Sequence, residues 1–263
     1  MTQPTAPFRW RGEHLLAEVP GGQALFTTRR GGVSRGPYAS LNLGLAGAQG
    51  QPADDPAAVA VNRSRVADQV GVPWDRIRRG RQVHGRRVLS PRRRPPRAGP
   101  KPAPLRGAEP LPEADGQATD RHGEAAAVLV ADCLPVAVIG SAAVVMLHCG
   151  WRGLAAGLVA EGVDALGELG DGPLVALIGP GAGPCCYEVG PDVHAALGGA
   201  GAETGGARPI DLKAIAAERL AAAGVSEVHD VALCTICGDP AVFFSHRRDA
   251  GVTGRQAGVV WRS

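Results

Sequence analysis

Three short apolar segments, separated from one another by only a few residues, most constrain how this chain folds. They cover residues 126–130, 135–139 and 142–147, and an Ala/Leu/Val-rich stretch over 154–169 follows at once. Apolar runs of this length between turn residues are typical of buried strands, whereas the longer stretch has the length of a helix. The second half of the chain therefore predicts a buried sheet covered by a helix.

The other predicted elements do not alternate steadily between strand and helix. Two helices are indicated by an acidic N-cap, Asp55 before Pro56 and Asp211, and end near Gly71 and Gly224. Further strands are predicted over residues 24–28, 76–84, 174–178, 228–233, 241–245 and 256–261. This irregular order favours a layered α+β fold, formed as a single domain over residues 1–263, rather than a doubly wound sheet.

Composition indicates a globular protein outside the membrane. The chain has 263 residues and is 44% hydrophobic, which is enough for a sizeable core. No segment approaches the roughly 20 consecutive apolar residues of a membrane span, and the first residues lack the apolar region of a signal peptide. We therefore expect a cytoplasmic protein with no membrane partner, whose six cysteines stay reduced.

One segment accounts for the positive net charge. Residues 86–106 contain eight basic side chains and no acidic one, and without those eight the net charge falls from +3 to −5. The same segment contains six prolines, a composition that neither packs a core nor forms regular structure. We predict a solvated, flexible Pro/Arg-rich insertion at about residues 86–110. Its lack of aromatic residues argues against nucleic acid as a partner.

Three candidate metal ligands, His84, Cys133 and His148, follow predicted strands. Strand ends hold side chains rigidly while leaving one side open. Two imidazoles and one thiolate suit zinc, and three protein ligands leave a fourth position free for water or substrate. Spacing alone leaves an alternative open, in which a buried cysteine and two histidines make ordinary hydrogen bonds.

Polar residues beside these ligands suggest a phosphate site. Asp132 precedes Cys133, and Arg152 lies where a helix is expected to start, so that free backbone N–H groups and a cation come together. The alternative is a tight turn in which Trp151 fills the core. Arg247, in a second basic group, could likewise bind phosphate or form surface salt bridges.

The remaining cysteines are predicted to be structural. Cys185 and Cys186 are adjacent and are expected to pack rather than share an ion. Cys234 and Cys237 have CxxC spacing, but no second CxxC is present to complete a four-cysteine site.

Taken together, these motifs resemble the YfiH family, also described as multicopper polyphenol oxidoreductase, laccase-domain or peptidoglycan editing factor proteins. The resemblance runs from Phe26 almost to the last residue. It is carried by residues 27–34, 40–44, 81–85, 131–135, 148–153, 185–190 and 244–256. Two departures from the family pattern, Cys149 in place of the usual alanine and a longer Pro/Arg-rich insertion, leave the three candidate ligands unchanged.

The resemblance implies an α/β/β/α layered fold and a catalytic zinc held by His84, Cys133 and His148. It also implies phosphorolysis of adenosine, inosine, guanosine or methylthioadenosine, so that a purine nucleoside and phosphate would be the partners. Adenosine deamination would be a second activity, for which zinc would supply the nucleophile. We hypothesise that the substrates are bound by five residues: Arg29, Arg152 and Arg247 for phosphate, Asn42 for the sugar or base, and Asp132.

Two other activities stay open. Copper is an alternative to zinc, because two histidines and a cysteine can bind it, and the protein would then be a polyphenol oxidase. However, the chain has 7 histidines and no His-x-His pair, whereas multicopper centres draw on many histidines. Alternatively, Cys133 could act as a nucleophile that hydrolyses a peptidoglycan precursor, with a histidine as base.

Overall fold

Two mixed six-stranded sheets form the centre of the protein. We describe residues 3–45, 53–93, 111–198 and 206–263 of a computed structural model. The strands are β1 Phe8–Arg11, β2 His14–Val19, β3 Gly22–Phe26, β4 Ile77–Arg78, β5 Val88–Leu89, β6 Gly116–Thr119, β7 Ala125–Val130, β8 Leu134–Ile139, β9 Val144–Cys149, β10 Val175–Ile178, β11 Glu188–Val189, β12 Arg208–Pro209, β13 Glu227–Asp230 and β14 Gln256–Arg262. The helices are α1 Pro56–Val70, α2 Trp151–Ala156, α3 Leu158–Gly167, α4 Pro191–Ala196 and α5 Leu212–Ala222.

The two sheets have different strand orders. The first has the order β1-β2-β3-β14-β7-β4 and is antiparallel except where β4 joins β7. The second has the order β13-β10-β8-β9-β6-β5, with parallel pairs at both edges. Strands β11 and β12 form a separate antiparallel pair. The predicted α+β fold with mixed sheets is therefore confirmed.

Apolar side chains fill three layers. Phe26 and Val128 of the first sheet meet Met146 of the second in the central layer, where all three are fully buried. Helices α3 and α5 cover the outer face of the second sheet, and α1 covers that of the first. Burying one aliphatic or aromatic side chain of this size stabilises a fold by about 1.5–3 kcal/mol. The layers follow the α/β/β/α order that the family resemblance implied.

The helix boundaries follow capping chemistry. Asp55 accepts a hydrogen bond from the backbone N–H of Ala57 at the start of α1, and Gly71 ends that helix with a φ of 72°. Asp211 caps α5 by accepting from the N–H groups of Lys213 and Ala214. Both helices begin where the sequence predicted. None of the described helices, of which α1 is the longest, is long and apolar enough to cross a bilayer.

Three predicted elements differ from the structure. The stretch over 154–169 is not one helix, because Gly157, with a φ of 91°, separates α2 from α3. The strand predicted over 76–84 ends at Arg78. Residues 241–245 form a turn and an irregular loop rather than a strand, since the N–H of Ala241 bonds to the Asp239 side chain and that of Phe244 to the Gln256 side chain.

The Pro/Arg-rich segment begins with ordered structure. Val88–Leu89 forms β5, and Arg93 makes ion pairs of 2.9 and 2.8 Å with Glu161 and Glu168. Acidic partners near α3 therefore hold residues that we expected to be solvated, which corrects the predicted start of the insertion. The rest of that insertion, residues 94–110, lies outside the described residues.

Gly258 of β14 allows the two sheets to pack closely against each other, because it has no side chain. A Cβ at this position would lie 2.6 Å from the Cβ of Pro135 and 3.0 Å from the sulfur of Met146, both on the facing sheet. We expect Gly258→Ala to lower the free energy of unfolding by about 1–3 kcal/mol, because the sheets must separate to accommodate the methyl group.

Urea denaturation measures this loss, with Gly167→Ala as the control. A Cβ at Gly167, the last residue of α3, meets no atom within 4 Å, so that variant keeps or gains stability. Equal stability of the two variants would contradict the packing argument.

Candidate metal centre

The structure brings His84, Cys133 and His148 together. One ligand atom from each lies within 4.8 Å of the other two, and the two imidazole rings are 4.9 Å apart at their centroids. Cys133 lies in the turn between β7 and β8, which belong to different sheets, and His148 lies within β9. His84 comes from a loop rather than from the strand end that the sequence predicted. The three ligands therefore meet where both sheets end.

A buried carboxylate, Asp115, organises two of the ligands. Its Oδ1 accepts a hydrogen bond of 2.8 Å from Nδ1 of His148 and one of 2.9 Å from the backbone N–H of His84. Its Oδ2 accepts from the N–H groups of Val83 and Gly85. Burial raises the pKa of the Asp115 carboxyl, but the hydrogen bonds more than offset this effect and lower it. Asp115 therefore stays ionised and leaves Nε2 of His148 free to bind an ion.

Sequence reasoning missed Asp115. It directly precedes β6, whose residues Gly116–Thr119 show no apolar run, so no strand was predicted there. Its role depends on contacts with a loop about thirty residues earlier and a strand about thirty residues later. Only the folded chain reveals such contacts.

The backbone at the centre adopts conformations that side chains rarely allow. His84 and Asp132 have φ values of 59° and 85°, in the left-handed region. Strained backbone of this kind costs on the order of 1–3 kcal/mol and concentrates at functional sites. Gly150 is also required, because a Cβ there would lie 2.9 Å from Sγ of Cys133 and 3.1 Å from Cδ2 of His84.

The protonation states of Cys133 and His148 depend on each other. Burial raises the pKa of the Cys133 thiol, but the charges and hydrogen bonds of His148 and His84 outweigh it and lower the pKa to about 6. Burial lowers the pKa of His148, but the Cys133 thiolate and Asp115 raise it to about 9. At neutral pH the metal-free centre is therefore a thiolate beside an imidazolium.

This donor set fits a metal ion. The ionised carboxylate of Asp115 fixes the orientation of His148, and Cys133 ionises readily, which are the requirements for an imidazole and a thiolate ligand. His148 is buried and Cys133 half-buried, whereas His84 is exposed. The cluster would thus hold an ion from one side and leave the other accessible, as catalytic zinc requires. A copper ion accepts the same ligands.

Basic and aromatic side chains lie close to Cys133. The guanidinium of Arg247 lies 5.1 Å from the centre of the Tyr187 ring, and that of Arg152 lies 4.3 Å from the Trp151 ring. Burial raises the pKa of Tyr187, as do the charges of Cys133 and Asp132, while Arg247 and Arg152 oppose the rise. Tyr187 therefore lies among the charged groups of the centre and keeps its proton at neutral pH.

Arg255 is a second functional candidate, which the sequence indicated only as part of the basic group around Arg247. Burial lowers its pKa, whereas the charges of Cys133 and Asp132 oppose that effect. Its guanidinium donates to the backbone carbonyls of Thr253 and Gly254. Arg255 therefore brings a half-buried positive charge to the centre, held in place by its own loop.

Asp132 and Asn42, which the sequence predicted as substrate contacts, are bonded within the protein. Asp132 accepts hydrogen bonds from the Thr235 and Ser245 hydroxyls and from the backbone N–H of Arg247. Asn42 is 1% exposed, and its amide bonds with Gly44, Asp54 and the N–H of Arg255. Both side chains hold loops that carry arginines, because their polar atoms are already bonded within the protein.

Arg29, which the sequence predicted as a phosphate ligand, is bonded to backbone carbonyls. Its guanidinium donates to the carbonyls of Ala39 and Pro240, at 2.7 and 2.8 Å, and lies 4.4 Å from the centre of the Phe244 ring. These contacts join three loops. Arg29 thus holds these loops together, whereas Arg152 and Arg247 are more exposed; Arg247 also donates to the carbonyl of Glu188, at 2.9 Å.

The four cysteines predicted to pack separately form one cluster. Sγ atoms of Cys185, Cys186, Cys234 and Cys237 all lie within 4.8 Å of one another. The expectation that the CxxC pair lacks partners is therefore wrong, because the adjacent pair supplies them across the fold.

Comparison with known proteins identifies the family. The sequence profile of the multicopper polyphenol oxidoreductase laccase family matches residues 23–263. The chain belongs to this family. Two solved structures have the same fold. YlmD from Geobacillus stearothermophilus has a TM-score of 0.81 and 32% identity, with coverage of 97% of this chain and 98% of that one. YfiH from Bacillus licheniformis has a TM-score of 0.80 and 30% identity, with coverage of 97% of this chain and 99% of that one.

Relatives in the laccase family carry a different functional name. A purine nucleoside phosphorylase from Streptomyces griseus is 39% identical over 260 residues, which cover 95% of this chain and 98% of that protein. A purine nucleoside phosphorylase from Xylella fastidiosa is 41% identical over 260 residues and covers 92% and 93%. The resemblance that the sequence motifs indicated is thus confirmed at the level of the family.

Asp115→Asn tests how the centre is oriented. An amide keeps the shape of the carboxylate but loses its charge, so His148 loses the partner that fixes its ring. We expect the zinc Kd to rise about 10- to 100-fold, as measured by competition with a chromogenic chelator. Asp164→Asn, on the exposed side of α3, is the control. An unchanged Kd for Asp115→Asn would contradict the assigned role.

Thiolate absorbance tests the charge state. Although burial raises the pKa of Cys133, His148 and His84 lower it to about 6, so Cys133 is a thiolate in the metal-free protein at neutral pH. We expect the ultraviolet absorbance of this thiolate, taken as the difference between the metal-free protein and Cys133→Ser, to rise with a midpoint near pH 6. A midpoint near pH 9, the ordinary value for a thiol, would refute the paired state.

Proposed function

We propose that this protein is a zinc-dependent purine nucleoside phosphorylase acting on adenosine, inosine, guanosine and methylthioadenosine, with adenosine deamination as a second activity. The observation that carries the proposal is an open two-histidine, one-cysteine cluster bordered by Arg152, Arg247 and Tyr187. The names of the Streptomyces and Xylella relatives support the same substrate class.

Phosphorolysis requires cations that bind the attacking phosphate. Phosphate attacks C1′ of the ribose, the bond from C1′ to the purine nitrogen breaks, and the purine leaves with the bonding electrons and takes up a proton. Arg152 and Arg247 are exposed and close enough to Tyr187 for their charges to act on its phenol, and we assign phosphate binding to them. The phenol of Tyr187 keeps its proton and can donate a hydrogen bond to the leaving purine.

The zinc would be held by His84, Cys133 and His148. Asp115 would keep His148 in the tautomer that binds the ion. When bound, zinc supplies the Lewis-acid chemistry that deamination at purine C6 requires. The backbone of Gly150 lets Cys133 and His84 come together on the same side of the site.

Copper oxidase chemistry fits the ligand set less well. All 7 histidines lie within the described residues, and among these residues only His84 and His148 share a cluster with metal-binding geometry. A multicopper centre needs several such groups. Polyphenol oxidation by copper-loaded protein at rates above those of free copper would support the oxidase instead.

A thiol hydrolase is a second candidate because Cys133 ionises readily. Its lowered pKa and its hydrogen bonds to His148 resemble a nucleophile paired with a base. This activity would hydrolyse a peptidoglycan precursor without a metal ion. Hydrolysis that survives chelation and is abolished by iodoacetamide would favour it over the phosphorylase.

Product analysis tests the phosphorylase directly. Purified protein is incubated with adenosine, with and without phosphate, and the products are identified by mass. We expect adenine and ribose 1-phosphate only when phosphate is present, and inosine in both reactions. If inosine is the only product in both reactions, the proposed deamination is supported and the proposed phosphorolysis is wrong.

Arginine variants then test phosphate binding. Losing one hydrogen bond to a charged group costs about 1.5–3 kcal/mol, which corresponds to roughly 10- to 150-fold. We therefore expect Arg152→Ala and Arg247→Ala to raise the KM for phosphate by at least about 10-fold and to change the KM for nucleoside much less. Arg121→Ala, whose guanidinium is exposed and pairs with Glu124, is the matched control. A phosphate KM unchanged by both site variants would refute their assignment.

A further inference from the structure

The four clustered cysteines lie at one edge of the second sheet. Cys185 and Cys186 follow β10, and Cys234 and Cys237 follow β13, which pairs with β10 in parallel. The pairing continues beyond the strands, where the N–H of Thr235 donates to the carbonyl of Gly181 at 3.0 Å. Because the carboxyl ends of parallel strands meet at the same edge, the two cysteine pairs come together there.

Two tight turns direct the sulfurs inward. The N–H groups of Cys186 and Tyr187 both donate to the carbonyl of Gly183, so the chain folds back at the adjacent pair. The N–H of Gly238 donates to the carbonyl of Cys234, which closes the turn of the CxxC pair. A Cβ at Gly238 would lie 2.4 Å from that carbonyl oxygen, so this turn requires glycine.

Backbone N–H groups are directed at one of the sulfurs. The N–H of Gly183 donates to Sγ of Cys234 at 3.3 Å, and the N–H groups of Ile236 and Cys237 are directed at the same atom. Such hydrogen bonds stabilise a thiolate and orient it as a ligand, as partners outside the first ligand shell do in metal sites. A core cysteine that only fills space needs no such set of donors.

The sulfur separations match those around a single ion. Sγ of Cys185 lies 3.4 Å from that of Cys237 and 3.6 Å from that of Cys186. Zn–S bonds of about 2.3 Å in a tetrahedron place sulfurs about 3.8 Å apart. A disulfide would need about 2.05 Å, and all four cysteines are free thiols here.

We propose that Cys185, Cys186, Cys234 and Cys237 bind a second zinc ion, in a structural site closed by four thiolates. Four sulfur ligands leave no open position, so this ion takes no part in chemistry. It joins the loop that carries Tyr187 to the segment that leads to Arg247 and Arg248. Arg248 reinforces this link by donating to the carbonyl of Thr235, between Cys234 and Cys237.

Metal analysis of variants tests the proposal without relying on activity. Full-length protein from zinc-supplemented cells is passed through a desalting column, and its metal is measured by mass spectrometry. We expect two zinc ions per chain. Cys234→Ser with Cys237→Ser should leave one, and His84→Ala with His148→Ala should remove the other. Cys149→Ala, a buried cysteine outside the four-cysteine cluster, is the control and should retain two.

Thiol labelling of the unmodified protein covers the case in which the double serine variant does not fold. With zinc bound, the four cysteines should resist iodoacetamide and become labelled together after a chelator is added. A loss of two mass units per cysteine pair, showing a disulfide, would overturn the proposal. So would iron in place of zinc at these sulfurs, or labelling that is unaffected by the chelator. If the unmodified protein contains zinc at the four cysteines but none at His84, Cys133 and His148, that result counts against the proposed activity and not against the four-cysteine site.

Discussion

The arrangement of the candidate metal centre depends on the buried carboxylate of Asp115. This carboxylate accepts hydrogen bonds from three consecutive backbone N–H groups, those of Val83, His84 and Gly85, and from the ring of His148. An unpaired charge in this position would be very costly, but here four donors satisfy it. The same bonds hold His84 in a left-handed conformation that an isolated loop would leave. The Asp115 side chain therefore holds His84 in its strained backbone conformation and also orients His84 and His148 as ligands.

Local patterns predicted the central strands and the capped helices well. The boundaries of β7, β8 and α1 depend on short-range features, namely apolar run length, Asp55 as N-cap and Gly71 in the left-handed region. The predicted strand over 76–84 was wrong because the loop containing His84 is stabilised by Asp115, which is distant in sequence. The predicted strand over 241–245 was wrong because the Asp239 and Gln256 side chains accept hydrogen bonds from backbone N–H groups that a strand would use for pairing.

Candidate ligands could be chosen from the sequence, but their neighbours could not. Histidine and cysteine are few in this chain, so the family motifs indicate His84, Cys133 and His148 directly. Polar residues in the same motifs are ambiguous, because a motif does not reveal which way a side chain points. Asn42, Asp132 and Arg29 bond within the protein and hold loops. Arg152 and Arg247 are exposed, although Arg247 also donates to the carbonyl of Glu188. The cysteine cluster was missed because its pairs come from different strands.

The position of Cys133 in the crossing from β7 to β8 links metal binding to the stability of the whole domain. This turn is where the chain passes from one sheet to the other, and the other two ligands come from a β9 residue and from the loop after β4. An ion shared by all three can be bound only while both sheets are packed together. A free metal ion at 100 times its Kd would then add about 2.7 kcal/mol to the free energy of unfolding. The resistance of the fold to unfolding would therefore follow the supply of that ion.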